Sequence, residues 1–274
     1  MNLALFRRAF ADGFWQLVFS VLIAFGFAWL FVWLMGSLVQ LGLWTSLLNL
    51  LPKFIHKAMG MSPAALVSTK GRLSILFVHA VPMLIFVGWA VGRGSDTIAG
   101  NLERGILELL VTLPCRRFQF VVVPTLATVA GIVILSAALW SGLAVGLYTV
   151  PLDPPVAWQE FWPAVLNLAV MSFALLGIST AVSAITRSRW RCIWITLGLF
   201  IVSIIIKLVA RLWDAGHLLA YLSFLSAFEP QILILEPNTT TMTFRYCGVL
   251  FAIGVVGIVA ASLSVVHRDV PGPD

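Results

Sequence analysis

The chain has 274 residues, 61% of them hydrophobic and only 10% charged, with a formal net charge of +6. Its mean hydropathy is +1.03, whereas a soluble domain carries about 25% charged and about 45–50% apolar residues. This excludes a water-solvated globule and points to a bilayer, where apolar runs of about 20 residues cross as helices that satisfy their own backbone hydrogen bonds.

Residues 1–14 carry Arg7, Arg8 and Asp12 among Leu3, Leu5, Phe6, Phe10 and Phe14, a mixture that predicts an amphipathic helix at the membrane surface. The first span is expected over 15–35. The apolar run after Arg7 and Arg8 is longer than a signal-peptide core, so it reads as a retained span. Ser37 to Leu51 contains Gln40, Thr45, Ser46 and Asn49 and is too short to cross, which suggests an interfacial or re-entrant helix followed by a polar loop to Arg72. The second span is expected over 73–91, with a kink at Pro82. The third follows over 119–150, the fourth over 161–185, the fifth over 192–212 and the sixth over 244–266. The stretch between the fifth and sixth spans, with Asp214, Glu229 and Glu236, reads as a polar loop. The expected fold is therefore an all-α integral membrane domain of six spans, residues 1–274.

Six spans put both termini on one side. Ten of the 17 Lys and Arg residues fall on that side, including Arg187, Arg189 and Arg191 in one short loop. The positive-inside bias then places both termini in the cytoplasm. The same bias accounts for the basic charge without nucleic acid, since no run of five or more basic residues occurs.

The most informative stretch is the loop between spans two and three, Gly94 to Phe120. Ser95 or Asp96 can cap a helix start, and Ala99, Leu102, Ile106, Leu109, Leu110 and Leu113 recur at helical spacing. Asn101, Arg104, Glu108 and Thr112 fall on the other side, and Pro114 ends the pattern. A cytoplasmic amphipathic helix is thus expected over 95–113. Periodicity alone leaves open whether such a helix merely lies on the membrane or meets a partner.

The literal residues weigh on that choice. Glu103-Arg104-Gly105, Leu107-Glu108-Leu109-Leu110 and Thr112-Leu113-Pro114, followed by Arg116-Arg117, resemble the motif of the type-two ABC permease family. Ile106 stands where that family usually has Thr. The basic turn Arg187-Ser188-Arg189-Trp190-Arg191 and the ending His267-Arg268-Asp269 fit the same family. The resemblance implies a permease subunit of an ATP-driven transporter, an exporter, in which 95–113 is a coupling helix docked on a separate ABC ATPase subunit. It implies coupling contacts by Glu103, Arg104 and Glu108, close approach at Gly105, and Leu107, Leu109, Leu110 and Pro114 within the same motif. Arg7 and Arg8 would add a second contact. A second copy of the chain or a paralogue is implied, an extracytoplasmic protein is a further candidate partner, and the expected location is a bacterial inner membrane. The chain itself is then non-catalytic. ATP and Mg would be bound by the partner, because no Gly-Lys dipeptide exists here to build a Walker A loop.

Other constellations carry less. Lys207 and Arg211 share a face of the fifth span and are candidates for substrate or lipid contact. Snorkelling to the interface is the other explanation for their place near the span's end. Neither the four histidines nor Cys115, Cys192 and Cys247 show metal-ligand spacing, so no metal site is expected. A carrier or channel working without ATP is the alternative, and it would need ion-coupling carboxylates inside the spans.

Overall fold

The computed structural model describes residues 3–50, 52, 54, 57–58, 60–105, 118–236 and 239–267. Among them every regular element is helical. A short helix, Leu3–Ala11, precedes six helices long and apolar enough to cross a membrane. The first span is Phe14–Gln40, the third Gln119–Thr149, the fourth Trp162–Ile185, the fifth Arg189–Leu212 and the sixth Thr239–His267.

The second span is assembled from pieces. Thr69–Ser74 and a 3-10 turn, Ile75–Val78, lead to His79, whose backbone is extended (φ −67°, ψ 147°). A new helix then runs Ala80–Ser95. Pro82 therefore does not kink a continuous helix. It sits in the first turn of a fresh one, where its missing N–H has no partner to lose. The His79 imidazole accepts from Val81 N at 3.3 Å and lies 4.8 Å, centroid to centroid, from the Phe27 ring.

The fourth span is the centre of the bundle, with 67% of its most apolar stretch buried against 28%, 22% and 17% for the first, fifth and sixth. It packs most extensively on the sixth, and the first span packs on the third. Glycines allow both contacts. A Cβ at Gly257 would come within 2.4 Å of the Gly177 carbonyl oxygen, and one at Gly142 within 2.3 Å of the Phe25 carbonyl oxygen. Without a hydrophobic drive between helices in lipid, such small-residue crossings supply the packing contacts. Outward-facing Phe19, Leu84, Trp194 and Val256 are exposed on the opposite surfaces, as lipid-facing residues must be.

The segments outside the spans are more structured than their polarity suggests. After Gln40, Gly42 turns the chain with φ +67° into a helix, Leu43–Leu50. The stretch after the fifth span is not an open loop. It forms short helical turns over Asp214–Leu222 and Phe224–Ala227, then a helix, Pro230–Leu235, that packs back on the fourth span.

Candidate functional site

One pole of the bundle gathers the N-terminal helix, the end of the second span and the starts of the third and fifth. The expected helix start at Ser95 is not observed. Ser95 has helical backbone (φ −66°, ψ −27°) and makes no side-chain cap, so the second span continues as a π-helical turn, Asp96–Gly100, into Asn101–Glu103. The cause is Ser183 on the fourth span. Its hydroxyl accepts from Ile98 N at 3.2 Å and Ala99 N at 2.8 Å, and donates to Ser95 O at 3.1 Å. Two N–H groups leave the helical ladder, and a wider turn results. The Asn101 amide braces the wide turn, donating to Asp96 O and Thr97 O at 3.0 Å each.

The helix stops at Gly105, whose φ of +67° suits a residue without Cβ. Among the described residues beyond its chain neighbours, no atom lies within 4 Å of the Cβ position at Gly105, so what they show of its role is the turn. Leu107, Glu108, Leu109, Leu110 and Pro114, and the rest of the 95–113 segment beyond Gly105, lie outside the described residues.

Glu103 and Arg104 join this end to the fifth span. Glu103 Oε2 accepts the backbone N–H of Arg189 at 2.8 Å, which satisfies one free donor at the start of the fifth span. Arg104 Nη2 lies 2.9 Å from Asp96 Oδ1, and Arg189 Nη1 lies 3.7 Å from the same oxygen. Hydrogen bonding to Asp96 holds the Arg104 guanidinium above its ordinary pKa. Gly100 makes room for that carboxylate, since a Cβ there would fall 2.3 Å from Asp96 Oδ1. Arg93 stacks on Trp89, 5.8 Å from the ring centroid, and donates to the Ala9 carbonyl at the end of the N-terminal helix. Arg8 Nε is 3.9 Å from Asp12 Oδ2, and Arg7 lies on another flank with Phe6 and Phe10.

The opposite pole holds a second charged cluster. Lys207 Nζ is 3.1 Å from Glu229 Oε1, and Arg211 pairs with Glu229 Oε2. Lys207 also donates to Phe228 O, and Arg211 to Ala58 O at 3.0 Å. Both cations therefore converge on a carboxylate of their own chain, and snorkelling to water is not what places them. Asn167 fixes the segment that carries Glu229, donating to Ala227 O and accepting from Glu229 N, each at 3.0 Å. Ser172 and Ser179 likewise donate to carbonyls of the second span. These polar residues of the fourth span bond within the bundle.

Sequence reasoning did not assign Arg93, Ser183, Arg189 or Glu229 to either cluster. For Glu229 a signal existed: the apolar run Ile232–Leu235 beside it marks a segment that can fold back into the bundle. For Ser183 none did, because a serine on a small-residue face reads as packing. Among the described residues no group of three His, Cys, Asp or Glu gathers to hold a metal.

A family model described as ABC-2 family transporter protein matches residues 12–264. No curated protein and no solved structure matches the chain.

Proposed function

The chain belongs to the ABC-2 transporter family, and on that premise we propose that it couples ATP hydrolysis by a separate subunit to export, or to force transmission, across the membrane. Membership makes it an integral-membrane permease component, of a family whose members are in general non-catalytic subunits that pair with an ABC ATPase. In the proposed arrangement both termini face the cytoplasm of a bacterial inner membrane. ATP and Mg sit in the ATPase, and two copies of this chain, or this chain and a paralogue, enclose the path.

One observation carries the coupling reading. The turn at Glu103–Gly105 is bolted to two spans at once, by the continuous helix of the second and by the Glu103 bond to Arg189 of the fifth. A push on this turn by a nucleotide-driven partner would reach both spans without a flexible link between. The proposed contact runs on through Leu107, Glu108, Leu109 and Leu110, with the N-terminal helix and its Arg7 and Arg8 as a second contact. A carrier reading would load its ion at a shielded carboxylate such as Asp96 or Glu229, and each of these is already met by two cations of the chain.

The test is co-purification from the native membrane in mild detergent, with co-eluting chains identified by mass. A P-loop ATPase in matching stoichiometry is expected, reduced when Glu103 and Glu108 are both reversed to Lys while membrane insertion is kept. Elution of the permease alone, after cross-linking as well, would refute the coupling.

A further inference from the structure

The pole that carries the N-terminus encloses a cavity of about 330 Å³ between the N-terminal helix and the ends of the first, second and fifth spans. Four guanidinium groups, those of Arg8, Arg93, Arg104 and Arg189, face two carboxylates, Asp12 and Asp96, a surplus of two positive charges. The carboxylates do not discharge it. Asp96 is divided between Arg104 and Arg189, and Asp12 reaches Arg8 only at 3.9 Å. The partner of Arg93 is the neutral Ala9 carbonyl. Among the described residues the buried Nε atoms of Arg93 and Arg189 have no hydrogen-bond partner, and neither has Asp96 Oδ1, which meets its two arginines as ion pairs.

Unpaired buried donors and a surplus of cation are both unfavourable unless an anion completes them. The depth of the cavity says where that anion resides. Phe14 and Trp15 are exposed at the start of the first span, as aromatic residues are at the headgroup level of a bilayer. We propose that this cavity binds a phosphoryl group, presented by the headgroup of a membrane lipid. The guanidinium fork matches phosphate oxygens in pairs, and the single negative charge of a lipid phosphodiester would offset half of the surplus. The arginines come from three elements, so occupancy ties the N-terminal helix to the ends of the second and fifth spans. None of this requires an ATPase partner.

Purified full-length protein in neutral detergent is titrated with dioleoyl phosphatidylglycerol, with dioleoylglycerol, which lacks the phosphoryl group, and with inorganic phosphate, while the thermal midpoint is followed. The variants are Arg8→Gln, whose side chain is exposed on the cavity rim, and Arg7→Gln, which removes the same charge from the apolar flank. A saturable rise with phosphatidylglycerol, absent with dioleoylglycerol, is expected. Its half-saturation should weaken about tenfold in Arg8→Gln, as for loss of one charge-assisted hydrogen bond, and stay unchanged in Arg7→Gln. If inorganic phosphate matches the lipid at equal concentration, the phosphoryl site stands and the lipid source does not. The proposal is overturned by a rise equal for dioleoylglycerol, by equal weakening in both variants, or by no saturable response.

Discussion

The hydroxyl of Ser183, in the fourth span, accepts the backbone N–H of Ala99, in the second, at 2.8 Å. With its bond from Ile98 N it widens the helix into a π-helical turn and so sets the angular position of everything that follows, Glu103 and Arg104 included.

Ser183→Ala removes that acceptor. Two buried N–H groups then lose their partner, and the turn is expected to relax toward α-helix, turning Glu103 by about 100° around the axis. The predicted cost is about 2 kcal/mol. It is checked by denaturant unfolding in detergent, together with loss of the Glu103–Arg189 proximity in a cysteine cross-link between positions 103 and 189.

The crossing of the fourth and sixth spans predicts a contrast among glycines. Gly257→Ala puts a Cβ 2.4 Å from the Gly177 carbonyl oxygen, whereas a Cβ at Gly198 meets nothing within 4 Å among the described residues. Gly257→Ala should destabilise by about 1–3 kcal/mol through forced separation of the helices. Gly198→Ala should be neutral or stabilising by up to about 1 kcal/mol. Thermal midpoints of the two variants side by side decide it.

At the other pole, Glu229→Gln leaves Lys207 and Arg211 without a counter-charge in a largely buried site, with a predicted cost of about 2–4 kcal/mol. Lys207→Met should cost less. In the double variant Lys207→Met/Glu229→Gln the costs should add to less than their sum, since one stranded charge is gone. Full additivity in a double-mutant cycle would mean that the pair does not interact.

These predictions rest on features of unequal visibility in the sequence. Six apolar runs announced six helices, because a bilayer allows an isolated backbone little else. The motif singled out Glu103, Arg104 and Gly105, but as the interior of a helix over 95–113 and not as the turn that ends one at Gly105. The helix start expected at Ser95 was wrong for a physical reason: Ser95 and Asp96 have cap chemistry, but Ser183, 88 residues away, ties Ser95 O into the continuing helix. The fold-back of Glu229 was legible only in the apolar run Ile232–Leu235, while the bonds from Asn167 and two cations of the fifth span that hold the segment were not. Long-range hydrogen bonds of single polar side chains leave no periodic trace.

The most direct test of the coupling role places a photo-activated cross-linking residue at position 104 and, separately, at Tyr148, which is exposed at the opposite pole. After illumination in native membranes, the adducts are identified by mass. The account predicts a P-loop ATPase cross-linked from position 104 and none from position 148. No ATPase adduct from 104, or an ATPase adduct from 148, would contradict it.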